Sequence, residues 1–93
     1  MTATANFELE EDLGAYKEYG RFKKNSREEV IVARKRYKIQ GAWQDYLDIR
    51  VWYRRSGSDS LSPGKGLTLK GDLCGELLTT LTMAMREMGT DGE

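Results

Sequence analysis

Histidine is absent from the 93 residues, and Cys74 and Pro63 are the only cysteine and the only proline. Without histidine the chain lacks the commonest zinc and haem ligand and the side chain that titrates near neutrality. A single cysteine forms no intramolecular disulfide and supplies no multi-cysteine metal site. Neither a metal nor a cofactor is therefore expected. No apolar run approaches the roughly 18 residues that signal a membrane span, so no membrane partner is expected either. The segment Met1–Leu13 carries four acids, no basic residue and no apolar stretch. That is unlike a secretory signal and predicts an intracellular protein, in the cytoplasm or nucleoid, or in the nucleus of a eukaryote.

What is present is charge, unevenly placed. Charged residues make up 32% of the chain, yet the formal net charge is zero. Between Lys17 and Lys70 fourteen Lys and Arg face six Asp and Glu, while the flanks hold Arg86 against nine acids. A strongly basic centre thus sits between acidic ends, and the average conceals it. Eight of the nine aromatic residues share that centre, from Tyr16 to Tyr53. Interleaved cations and rings suit unpaired nucleic acid, since cations track phosphates and ring faces stack on bases. The same composition also fits a solvated charged surface over an aromatic core.

Along the chain, residues 1–29 show no clean period and read as an extended or partly ordered arm, acidic first and basic second. Val30–Ile39 reads as a strand, opened by the β-branched run Val30-Ile31-Val32. Its alternation sets Ile31, Ala33, Lys35, Tyr37 and Ile39 on one side, expected to face the core. Val32, Arg34, Arg36 and Lys38 fall on the other. Gly41 marks a turn, with Trp43 beyond it. Tyr46–Arg55 is the clearest strand. Leu47, Ile49, Val51 and Tyr53 form its apolar side, against Asp48, Arg50, Trp52 and Arg54. Trp52 on a charged side either covers an edge or serves as a stacking platform.

Ser56–Gly66 reads as a loop with a Pro63-Gly64 turn, and Leu67–Leu69 as a short strand. Asp72–Met88 reads as one helix, with Asp72 as N-cap and Gly89 as C-cap. Its apolar stripe is wide for one small sheet to cover, and Leu77, Leu78, Leu81, Met85 and Met88 are expected to pair with the helix of a second copy.

The order Asp48-Ile49-Arg50-Val51-Trp52-Tyr53, then Pro63-Gly64-Lys65-Gly66-Leu67-Thr68-Leu69, then a helix resembles the transcriptional coactivator family called positive cofactor four. Arg36-Tyr37 resembles its upstream strand signature. The resemblance covers residues 30–88, leaving an arm at 1–29 and a tail at 89–93. It implies an α+β fold: a curved antiparallel sheet of about four strands, one C-terminal helix, and a homodimer whose helices pair while β-ridges form grooves. It further implies sequence-nonspecific binding of single-stranded DNA, with Arg34, Trp43, Arg50, Tyr53 and Lys65 at the matching positions. Here the Pro-Gly loop carries one basic residue where relatives often carry more, with Arg54 and Arg55 as nearby substitutes.

The expected function is therefore binding of single-stranded DNA or RNA in transcription, replication or repair, with transcription or replication proteins as further partners. The candidate contacts are Arg34, Arg36, Lys38, Trp43, Arg50, Trp52, Tyr53, Arg54 and Lys65. A protein-interaction module acting as a transcription cofactor is the alternative. Catalysis is not expected. Asp45, Asp48 and Asp59 could hold a nuclease metal, but Asp48 is expected to pair with a neighbouring arginine.

Overall fold

The structure is a computed structural model and describes residues 9–89. Its spine is a long antiparallel hairpin of two strands, β3 (Glu28–Ile39) and β4 (Ala42–Arg54). The pairing runs without a break from Glu28 opposite Tyr53 to Ile39 opposite Ala42. Gln40 and Gly41 close it, both at positive φ (52° and 86°). Such two-residue turns match the right-handed twist of the strands they join. Strand β5 (Leu61–Lys70) pairs with the far side of β4, and two short strands, β1 (Leu9–Glu11) and β2 (Lys17–Lys23), share the outer edge of β3. The sheet is antiparallel throughout and four strand positions wide. One helix, α1 (Cys74–Met88), follows, which gives the expected α+β class.

Three local expectations change. The arm expected over residues 1–29 is, over its described part, edge strand: β2 pairs with Glu29–Arg34, with an extra residue, Tyr19, bulged between Glu18 and Gly20. Residues 1–8 and 90–93 lie outside the described residues.

The second change concerns the Pro63-Gly64 segment, which is strand rather than turn. Proline is tolerated there because β5 is an edge strand. Gly64 and Lys65 together oppose Val51, a bulge that re-aims the strand. A Cβ on Gly66 would stand 2.6 Å from the Arg50 Cα, so only glycine lets β5 approach β4 this closely. The third change is at the helix start. A 3-10 turn (Gly71–Leu73) contains Asp72, and Leu73 occupies the N-cap without a side-chain capping bond. The far end is as expected: Gly89 is left-handed, and its N–H donates to the carbonyls of Met85 and Arg86.

The largest correction concerns which sides of the strands share a face. Cross-strand partners lie on one face of a sheet. The register sets Ala33 opposite Asp48 and Ile31 opposite Arg50. The Ile31–Ala33 side therefore joins the charged side of β4, not its apolar side. Within one strand alternation fixes relative sides, but only the register matches them, and a one-residue slip reverses the match.

The Asp48 face is closed: Ile31, Ala33 and Asp48 are buried. The opposite face, with Val30, Val32, Leu47, Ile49 and Val51, is only half-buried. Helix α1 does not close it. Of its residues only Cys74 and Leu77 are half-buried, and Leu78, Leu81, Met83, Met85 and Met88 are exposed. The radius of gyration is 16.2 Å, against about 12 Å for a compact domain of this length.

Candidate nucleic-acid interface

The hairpin register brings the basic residues of distant segments together. Because Glu28 pairs with Tyr53, the β2–β3 turn (24–27) meets the end of β4 and the start of the β4–β5 loop. The Arg54 N–H donates to the Arg27 carbonyl at 3.0 Å, and the Arg27 guanidinium reaches the Arg54 carbonyl and Ser56 Oγ at 3.4 and 3.3 Å. The turn is braced by Asn25, whose Oδ1 accepts from the N–H groups of Arg27 and Glu28 at 2.9 Å each.

Two cavities open at this end and share Tyr53 and Glu28 as walls. The larger, about 660 Å³, also takes in Ser26, Arg27, Arg54, Arg55 and Ser56. The smaller, about 310 Å³, takes in Lys24, Val51, Gly64 and Lys65. Gly64 has a structural part here, since a Cβ would come within 3.3 Å of the Tyr53 ring. The bare backbone therefore lets the ring lie against β5. Lys24, Arg27, Arg55, Lys65 and one acid line the cavities around Tyr53, while the Arg54 side chain turns to Glu29 at 3.4 Å. Glu28 is already engaged, by Asn25 Nδ2 at 2.8 Å and Lys24 Nζ at 3.5 Å. Those contacts, the Asn25 hydrogen bond first, hold its carboxyl below the usual range.

A second basic group lies on the same face at the far end of the hairpin. Arg36 pairs with Asp45 at 2.7 Å, and Lys38 stands 5.7 Å from the centre of the Trp43 ring, which is half exposed. Arg34 donates to the Ala15 carbonyl at 3.2 and 3.3 Å. Ten residues of strand separate Lys38 from Glu28, roughly 33 Å at 3.3 Å per residue. The half-buried aliphatic stretch lies between the two groups.

The nine candidate contacts therefore divide. Tyr53 and Lys65 meet at one end, and Arg34, Arg36, Lys38 and Trp43 at the other. Arg50 and Trp52 lie on the Asp48 face, as does the Arg54 side chain, which reaches Glu29 at 3.4 Å. Arg50 is consumed by internal bonds, to Asp48 at 2.7 and 3.2 Å and to the Gly64 carbonyl at 2.9 Å. Burial would raise the Asp48 carboxyl, but the hydrogen bonds from Arg50 and Thr68, with Lys35 nearby, bring it below its ordinary value. Asp48 thus pairs with a neighbouring arginine, as expected. The Trp52 Nε1 is buried without a hydrogen-bond partner among the described residues, and the ring lines neither Tyr53 cavity.

Sequence reading left Lys24 and Arg27 out of the site and named Arg55 only as a nearby substitute. Their signal was the basic run around Phe22 and the Arg54-Arg55 pair, but only the register shows that the two segments adjoin. Among the described residues no group of three acids or cysteines is placed to hold a metal ion, and no helix is long and apolar enough to cross a membrane. Compared with protein-family models, with curated proteins and with solved structures, the chain finds no match in any of the three.

Proposed function

We propose that this chain is an intracellular, non-enzymatic, sequence-nonspecific binder of single-stranded DNA or RNA that works as a homodimer, as its resemblance to positive cofactor four implies. The observation that carries the binding reading is Tyr53, set between two cavities and ringed by Lys24, Arg27, Arg55 and Lys65. A ring with cations on several sides offers a base a stacking surface and its flanking phosphates a charge partner, without reading sequence. Double-stranded nucleic acid presents no such base face along its length, so the single strand is preferred.

The dimer is argued from what the single chain leaves open. An aliphatic sheet face and an apolar helix are both uncovered in the same molecule, more apolar surface than a small soluble monomer ordinarily exposes. A second copy supplies both counterparts. Leu77, Leu78, Leu81, Met85 and Met88 on α1 are the proposed contacts. The exposed helix also favours the second reading, a protein-interaction module that docks a different partner, such as a transcription or replication protein.

Fluorescence anisotropy of a labelled single strand, titrated at two salt concentrations with duplex competitor, tests the proposal. Binding should prefer the single strand and weaken with salt, and Tyr53→Ala should cost about 1–3 kcal/mol of affinity. No binding at low salt would refute it and favour the interaction module. For the dimer, sedimentation of Leu81→Asp should show a monomer where the parent sediments as twice the mass; an unchanged mass removes α1 from the interface.

A further inference from the structure

The two cavities beside Tyr53 differ in a way that a continuous phosphate track does not require. The smaller is lined by two lysines, Lys24 and Lys65, and no arginine. The larger gathers three arginines and two serines about one space of some 660 Å³, well within the size of small-ligand clefts. We propose that this larger cavity takes the terminal phosphate of a single strand, a phosphomonoester, with the last base stacked on Tyr53.

The proposal rests on the single-strand reading above, and three observations carry it further. The first is charge matching. An internal phosphodiester has one negative charge, whereas a monoester carries about −1.5 to −2 at neutral pH with three strong acceptor oxygens. Two guanidiniums, of Arg27 and Arg55, and two serine hydroxyls exceed what one diester needs and suit a dianion. The second is donor geometry. Arginine presents a planar fork that meets phosphate oxygens in pairs, which lysine cannot do, and the arginines are confined to the larger cavity. The third is preset walls. Arg27 ties the β2–β3 turn to Arg54 and Ser56 before any ligand arrives. The Arg54 guanidinium is directed to Glu29 at 3.4 Å, and the Arg55 side chain makes no hydrogen bond or ion pair among the described residues. The Glu28 carboxylate, the one acid in the wall, is already bound by Lys24 and Asn25.

Phosphate at a 5′ end, at a 3′ end and on a free nucleotide shares this chemistry, so the test separates the sources. Short oligothymidylates with a 5′ phosphate, a 3′ phosphate or neither compete for a labelled strand, beside thymidine monophosphate as a fourth competitor. One of the phosphorylated strands should compete about tenfold better than the unphosphorylated one, the scale of added charge-assisted bonds. Arg55→Ala should erase that advantage, Arg55→Lys should restore part of it, and Lys65→Ala should weaken all strands alike. Equal competition by the three strands, with salt-sensitive binding intact, overturns the end-recognition proposal and leaves the single-strand reading standing. Thymidine monophosphate competing as well as the phosphorylated strand overturns it in favour of a free-nucleotide site. If no strand binds at low salt, both fall.

Discussion

The two faces of the sheet solve opposite problems. On the Asp48 face a charged network closes on itself: Asp48 accepts from Arg50 and from Thr68 Oγ1 at 3.0 Å, and Ile31 and Ala33 are buried beside it. On the opposite face the polar groups stand at the two ends and the aliphatic middle is left half-open. A face whose donors and acceptors are spent internally stabilises the fold and has little left for a ligand. A face with unspent cations and uncovered carbon is the one that other molecules complete. Arg50 and Tyr53, three residues apart on one strand, fall on different sides of this division.

The sharpest way to break the contrast is to remove the centre of the closed face. Asp48→Ala should strand Arg50 half-buried without its counter-charge and cost about 3–5 kcal/mol, read as a loss of thermal stability or of folded protein. The pH dependence follows from the direction of its shift. The folded carboxyl titrates below its unfolded value of about 3.9, so its contribution is fully present above that value and lost as the pH falls through the lower, folded one. Glu18, Asp45 and Glu28 are lowered too, each by hydrogen-bonded partners. Asp48→Asn should therefore shallow the acid leg of a melting-temperature profile without abolishing it. An identical profile would deny Asp48 its central place.

Comparing equivalent side chains on the two faces comes next. Ile31, 3% exposed, should cost about 2–5 kcal/mol on truncation to Ala. Ile49, half-buried on the open face, should cost distinctly less in dilute protein. Its cost should rise with protein concentration if a second copy covers it, because oligomer stability is concentration-dependent. Equal costs at all concentrations would mean that the faces do not differ as described. Gly66→Ala should cost about 1–3 kcal/mol, as overpacking does, since its Cβ would press on the Arg50 backbone.

These cases also show what the sequence made legible. Strand alternation at Tyr46–Arg54, the wide apolar stripe of the helix and the glycine cap were all readable locally, because each depends on neighbours in sequence. The matching of β3 to β4 was not, because it is a register, and both strands carry one plausible apolar side each. Pro63-Gly64 carried a strong turn signal that an edge position and a bulge overrode. Within the site, Tyr53 and Lys65 were found through motif order. Lys24 and Arg27 were not, because their place beside Tyr53 depends on Glu28 pairing with that residue across 25 positions.

The smallest expected effect on stability concerns the far end of the open face. The Arg36–Asp45 pair is exposed, and such pairs contribute about 0–1 kcal/mol, so Asp45→Ala should leave the melting temperature nearly unchanged. Its effect on binding should be larger than its effect on folding. Asp45 occupies the Arg36 guanidinium at 2.7 Å and also acts on Arg34 nearby. Removing it frees one cation and deletes a repulsive charge beside Lys38 and Trp43. If a strand passes over this end, affinity should rise and the salt dependence should steepen by about one phosphate contact. Unchanged affinity and slope would confine binding to the Tyr53 end, and Trp43 would then stand outside the strand's path.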